Sequence, residues 1–123
     1  MLYKEFLSQF EHIPLDSTLS IYCGPLKFKG FFSIKYISVN ASFVTDNNGN
    51  GQVFNSIAIQ IEKFGDLTNK KLLCMFDKIK CDGDAEVILE IPGIYSMEKW
   101  KVSTVRDANI YIVPITGNTY ENE

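Results

Sequence analysis

Histidine and the usual chemistry motifs are scarce in this sequence. His12 is the only histidine, so a Ser-His-Asp or Cys-His arrangement would have to include it. No phosphate-binding glycine loop, dinucleotide fingerprint or zinc-spaced Cys/His set occurs. We therefore expect no catalytic residue, no cofactor and no metal.

Cysteine and long apolar runs are also limited. Cys23, Cys74 and Cys81 are an odd number without a CxxC pair, which predicts free, mostly buried thiols in a reducing compartment. No apolar run reaches transmembrane length, and Lys4 and Glu5 lie where a signal peptide needs apolar residues. These features predict a soluble, cytoplasmic protein.

The chain also has no strong excess of one charge: it contains 12 Lys and Arg against 15 Asp and Glu. The net charge is −3, and bases and acids are interspersed, which argues against nucleic-acid binding. Bases and aromatics are interleaved between residues 27 and 36, but the strand period puts Phe28, Phe32 and Tyr36 on the face opposite the lysines, so we interpret these three rings as core. Nucleic-acid binding is kept only as a remote alternative.

Aromatic and apolar residues are plentiful. The chain has nine Phe, six Tyr and one Trp, and 46% of its residues are hydrophobic, which excludes a disordered chain. Its length predicts a single domain, residues 1–123, with residues 117–123 as a flexible tail. We find no internal sequence repeat.

The stretch from Gly30 to Phe64 predicts a long β-hairpin. Its two runs alternate apolar and polar residues with the period of a strand, and the Asn/Gly-rich residues 45–51 suit a tight turn. The apolar phase slips after Tyr36, which predicts a β-bulge or a strand that bends between two layers. Ile57, Ile59 and Ile61 share one face and should be buried together.

Two segments carry helical patterns. Residues 2–12 repeat apolar residues at helical spacing. Residues 66–81 are ambiguous: a helix capped by Asp66 places Leu72 and Phe76 on one arc, whereas a strand would enter a hairpin at residues 82–84. Low β-branching favours the helix.

Four further strands are predicted, in residues 18–23, 85–91, 99–104 and 109–115. The predicted fold class is therefore α+β, with an N-terminal helix, an antiparallel sheet of about six strands and a second helix near 66–80. The alternative is an all-β sandwich or barrel with one N-terminal helix.

Two polar segments have the residue types of a metal or acid–base site. Asp46, Asn48 and Asn50 match the first half of a calcium loop, but Ile57 stands where the closing carboxylate belongs. We interpret the segment as a turn without metal. Asp82, Asp84 and Glu86 could share acid–base or metal chemistry, yet they surround a glycine turn among lysines, which is typical of solvated residues. His12 is interpreted as a cation near a helix end.

These observations predict a small protein-binding domain of inhibitory or regulatory kind, as in immunity proteins, antitoxins or phage regulators. Its partner would be another protein, contacted through surface rings; the candidates are Phe31, Tyr95, Tyr22 and Tyr120. One alternative is an assembly subunit that self-associates through an edge strand. Another is an enzyme with a carboxylate site.

Overall fold

A computed structural model describes residues 1–23, 28–45, 47–93 and 96–115 of the chain. Its elements, in chain order, are α1 (Tyr3–Phe10), β1 (Ser20–Cys23), β2 (Phe28–Thr45), β3 (Gly51–Lys63), α2 (Asn69–Asp77), β4 (Glu86–Pro92), β5 (Met97–Arg106) and β6 (Asn109–Pro114). The predicted α+β class, with its N-terminal helix, six strands and second helix, is confirmed.

The strands form a closed barrel in the order β1-β2-β3-β4-β5-β6. Four neighbouring pairs are antiparallel, whereas β3 with β4 and β1 with β6 are parallel. The sheet is thus mostly antiparallel. It closes into a barrel, which we expected only for the alternative all-β fold, and yet both predicted helices are present. β3 and β4 are parallel because α2 lies between them in the chain, and a helical crossover brings the next strand back parallel to the one before it.

The two halves of the chain repeat one arrangement, a helix followed by three antiparallel strands. The two parallel pairs are the seams where the halves meet. The two halves share this topology although the sequence has no internal repeat from which it could have been predicted.

Helix α1 is short and depends on its contacts. A helix of this length is marginal alone. Leu2, just before the helix, forms an antiparallel bridge with Glu86 of β4, and the Tyr3 N–H donates to the carbonyl of the preceding Ala85 at 2.8 Å. The Phe6 and Phe10 rings are buried, with ring centroids 4.8 Å apart. Docking on the sheet, rather than local propensity, therefore holds α1 in place.

Helix α2 confirms the helical interpretation of residues 66–81. Leu72 and Phe76 are buried and Cys74 is exposed, as the helical wheel predicts. The predicted cap at Asp66 is wrong. Thr68 is the N-cap, because its extended backbone lets the hydroxyl accept the Lys71 N–H at 3.3 Å.

The hairpin of β2 and β3 is the longest strand pair, and Ile57, Ile59 and Ile61 are buried together, both as predicted. The register shifts between Ile34 and Tyr36, which confirms the predicted bulge. These isoleucines belong to the main core cluster, which also contains the helix residues Tyr3, Phe6, Phe10, Leu72 and Phe76.

Candidate interaction surfaces

The predicted contact rings have different surroundings. Phe31 has 56% of its surface exposed, as a contact residue should. Tyr22 is half-buried, since its ring packs 5.2 Å from that of Tyr111. Tyr95 and Tyr120 lie outside the described residues. Of the two candidates that the structure describes, Phe31 has the exposed ring.

A second exposed phenylalanine neighbours Phe31 and was missed from the sequence. The Phe64 N–H donates to the Phe31 carbonyl at 3.0 Å, and the Phe64 side chain is 91% exposed. Its φ of 67° is the left-handed conformation that non-glycine residues rarely adopt. The sequence signal was its position immediately before Gly65, where the strand ends.

The acidic residues after α2 are used within the chain. The Asp84 carboxylate contacts the Lys4 ammonium at 2.9 Å, and Glu86 accepts a hydrogen bond from the Met1 amino group at 3.1 Å. The hydrogen bond to Asp84 raises the pKa of Lys4 above its usual value. The Asp82 carboxylate accepts the Asp84 N–H. Among the described residues, no group of three or more potential metal ligands comes together.

The Asn/Gly loop and His12 are both at the surface. Asn47, Asn48, Gly49 and Asn50 are exposed, and Gly49 has a φ of +82°, as a tight turn requires. Asp46 lies outside the described residues, so the metal expectation stays a prediction. His12 is exposed and lies beyond the last residue of α1.

The hairpin extends beyond the barrel as a two-stranded ribbon. β1 pairs with β2 only from Phe28 to Phe31, and β4 pairs with β3 only from Ser56 to Gln60. From Ala41 opposite Asn55 to Thr45 opposite Gly51, β2 and β3 have only each other in the part of the chain that the structure describes. We call residues 41–55 the hairpin arm; at the usual rise per residue it is about 17 Å long.

The arm presents apolar side chains to solvent. Val53 is 58% and Phe54 is 49% exposed, on opposite faces of the ribbon, and Val39 at the base of the arm is 47% exposed. Val53 is on the same face of β3 as the buried Ile57 and Ile59, but it lies beyond the end of the barrel, so no core covers it. Residues 36–61 contain one charged residue, Asp46, in a chain that is 22% charged.

The opposite end of the hairpin borders a cavity of about 500 Å³ at the mouth of the barrel. The buried side chains of Ile21, Phe32, Ile61, Trp100 and Ile112 form its wall. Lys63 and Glu98 also line it. This cavity could not be predicted from the sequence, because residues of all six strands line it.

Comparison of the chain with family models, curated proteins and solved structures found no match. No helix among the described residues has the length and apolar character needed to span a membrane.

Proposed function

We propose that this protein acts by binding another protein through the hairpin arm, in an inhibitory or regulatory role in the cytoplasm. The observation that carries the proposal is the arm itself: a two-stranded ribbon with apolar side chains exposed on both faces and a nearly uncharged sequence. Natural proteins usually protect such strand edges with charged side chains, lysine above all. The arm lacks that protection.

The mode of binding is the addition of a strand. The outer edge of each arm strand has no partner strand among the described residues, so its backbone groups can pair with an extended segment of the partner. Side chains of that segment would alternate between the Val53 face and the Phe54 face. The partner segment should therefore be uncharged and apolar at alternate positions.

A third strand would also benefit the arm. An isolated two-stranded ribbon is at best marginally stable in water, whereas the same hairpin is anchored at its base by the buried Ile57 and Ile59. The barrel thus presents the arm in a fixed direction, and the partner completes a three-stranded sheet.

A second copy of the chain is the second candidate partner. Pairing identical arms brings like residues together, and like charges opposite one another destabilise a sheet. The arm has one charged residue, Asp46, so this penalty is small. Light scattering between about 5 and 500 µM tests this candidate: a mass that doubles with concentration supports it, and a constant monomer mass eliminates it.

The main proposal is tested with charge in the arm. A photo-crosslinking residue at position 53 identifies the partner in cells that express the protein, and the purified partner is then titrated. Phe54→Lys should weaken binding at least about tenfold, or about 1.4 kcal/mol. Leu15→Lys is the matched control, since Leu15 is 56% exposed and lies outside the arm.

Equal binding by wild type, Phe54→Lys and Leu15→Lys would refute the proposal. Phe31→Ala provides a separate test of the exposed rings near the barrel mouth. If Phe31 is a contact, its truncation weakens binding and leaves the melting temperature within a few degrees; a large loss of stability would assign this ring to the core instead.

A further inference from the structure

The outer face of β1, β5 and β6 carries basic side chains and no acidic ones. The charged residues of these three strands are Glu98, Lys99, Lys101 and Arg106. Glu98 is the one acid among them; it pairs with Ile91 and lines the barrel cavity, so it lies on the inward face. Bases and acids that are interspersed along the chain are therefore separated by the fold at this face.

Two of these cations are available to an anion. Lys101 and Arg106 are exposed, their cross-strand neighbours are uncharged, and neither forms an ion pair within the described part of the chain. The guanidinium of Arg106 lies 5.3 Å from the centre of the Tyr111 ring. A guanidinium stacked on a ring keeps the N–H donors in its plane for another partner. An anionic group can therefore reach either cation without displacing a carboxylate.

Arg106 and the exposed Phe31 lie at the two ends of one row that crosses four strands. Arg106 pairs with Asn109, Asn109 with Ser20, and Ser20 with Phe31. At the usual spacing of strands the two ends of the row are about 14 Å apart. The middle of the row has only short side chains, since the Ser20 hydroxyl hydrogen-bonds to the Asn109 amide oxygen. A cation and an open ring, 56% exposed, thus lie on one face with a low floor between them.

A shallow depression of about 190 Å³ lies beside this row. Arg106 lines it together with four hydroxyl-bearing residues, and none of its described lining residues is acidic. The hydroxyl groups belong to Tyr22, Ser103, Thr104 and Tyr111. Ser103 is the extra residue of a bulge in β5, and bulges are frequent next to functional sites. A guanidinium and hydroxyl groups are the donors that proteins use to hold phosphate.

We propose that this face binds single-stranded nucleic acid. The phosphates contact Arg106, Lys101 and the neighbouring hydroxyl groups, and a base stacks on the open ring of Phe31. A polyanion without rings would use the cations only, and an apolar peptide would use Phe31 only. A single strand presents phosphates and flat bases at short intervals, so it matches both. The face is separate from the hairpin arm, residues 41–55, and either proposal can fail without the other.

Fluorescence anisotropy of a labelled thymidine oligonucleotide tests the proposal with the unaltered protein. A length of about 12 nucleotides is within the site sizes of about 4–16 nucleotides of sheet surfaces that bind single strands. We expect saturable binding with a Kd of about 1–100 µM. A strand of the same length without bases should bind at least about fivefold more weakly, because it has nothing to stack on Phe31. Two phosphate contacts predict that the logarithm of the affinity falls against that of the salt concentration with a slope of about −1.4.

Variants separate the phosphate contact from the stacking contact. Arg106→Gln should weaken both strands and make the salt slope less steep by about 0.7. Phe31→Leu should weaken the thymidine strand at least about fivefold and leave the abasic strand and the salt slope unchanged. The matched controls are Lys78→Gln, at the C-terminal end of α2, and Phe54→Leu, an exposed ring in the hairpin arm.

A third variant should strengthen binding. Asp107 is exposed and follows Arg106 in the chain, and Asp107→Asn removes its repulsion of phosphate. Asparagine tolerates the φ of 53° at this position. The proposal is overturned if the thymidine strand does not bind up to about 200 µM protein, if the abasic strand binds equally well, or if the two control variants weaken binding as much as Arg106→Gln and Phe31→Leu.

Discussion

Asn69 is completely buried and joins the two helices. Its side-chain amide donates to the carbonyls of Phe10 and Ile13, each at 2.9 Å. These carbonyls lie at and beyond the end of α1, where a helix leaves its last acceptors without intrahelical partners. One side chain at the start of α2 therefore satisfies the end of α1.

Replacing this residue tests how much the junction contributes. Asn69→Leu should lower the free energy of unfolding by about 1–3 kcal/mol, because the Ile13 carbonyl loses the Asn69 donor and the Phe10 carbonyl keeps only the Ile13 N–H at 3.3 Å. Urea denaturation measures the loss. Lys70→Leu, at the exposed neighbouring position, should change the midpoint little; equal midpoints for the two variants would contradict this role of Asn69.

The three thiols should differ in reactivity. Cys74 is exposed, Cys81 is half-buried and Cys23 is buried, so the expectation of mostly buried thiols holds for Cys23 alone. Burial, and then the neighbouring Asp82, raise the pKa of Cys81 above its ordinary value. A raised pKa leaves less thiolate at a given pH, and the thiolate is the nucleophile.

Alkylation followed by mass spectrometry over pH 7–10 checks this order. Cys74 should be modified first. Cys81 should react slowly near neutral pH and accelerate only above the ordinary thiol pKa, and Cys23 should resist until the protein unfolds. Cys81 reacting at pH 7 as fast as in urea would contradict the shift.

Local residue patterns predicted much at this scale, but not the partners of Asn69. Ile57, Ile59 and Ile61 could be predicted as core residues, because the alternation of apolar and polar residues in β3 is a local pattern. Asn69 bonds to residues 59 and 56 positions earlier. No local pattern carries that information, so the sequence did not single it out.

Along β3, one face is core inside the barrel and solvent-exposed in the arm. Ile59 is 1% exposed, and Val53 on the same face is 58% exposed. Ile59→Ala should cost about 2–5 kcal/mol because it leaves a cavity. Val53→Ala should cost less than about 0.5 kcal/mol.

Chemical denaturation of both variants provides the comparison. A large loss for Val53→Ala would mean that the arm packs against the rest of the domain, contrary to the description of it as a projecting ribbon. A wild-type midpoint for Ile59→Ala would contradict the register of the hairpin.

The turn from β3 toward α2 depends on Gly65. A Cβ at this position would overlap backbone atoms of Phe32 and Ser33, whereas nothing lies within 4 Å of one at Gly49. Gly65→Ala should therefore destabilise the protein by about 3 kcal/mol or prevent folding. Gly49→Ala should cost about 1–2 kcal/mol, from its positive φ alone. Similar melting temperatures for the two variants would contradict the close approach.

The elements themselves were largely predictable, since periodicity and turn residues are local. Both helices and all six strands correspond to predicted segments, and the bulge follows from the phase slip after Tyr36. Barrel closure was not predictable in the same way. It depends on the parallel pairing of β1 with β6, whose residues Ser20 and Asn109 are far apart in the sequence.

At the scale of the whole molecule, two helix-plus-three-strand halves build the barrel, and among the described residues only the first half has an extension. β2 and β3 continue past the third strand, whereas β5 and β6 are paired only within the barrel. The sequence predicted a long hairpin but not that its tip lacks a covering layer. That difference between the halves places the candidate protein-binding surface on the arm.

Removing the arm tests this account most directly. Asn40 and Ser56 are paired in the hairpin, so an Asn-Gly turn between them can replace residues 41–55 without changing the register. If the arm is a binding element, the shortened protein keeps a cooperative unfolding transition within a few degrees of wild type and loses partner binding or self-association. A shortened protein that binds or self-associates like wild type, or that fails to fold, would contradict the account.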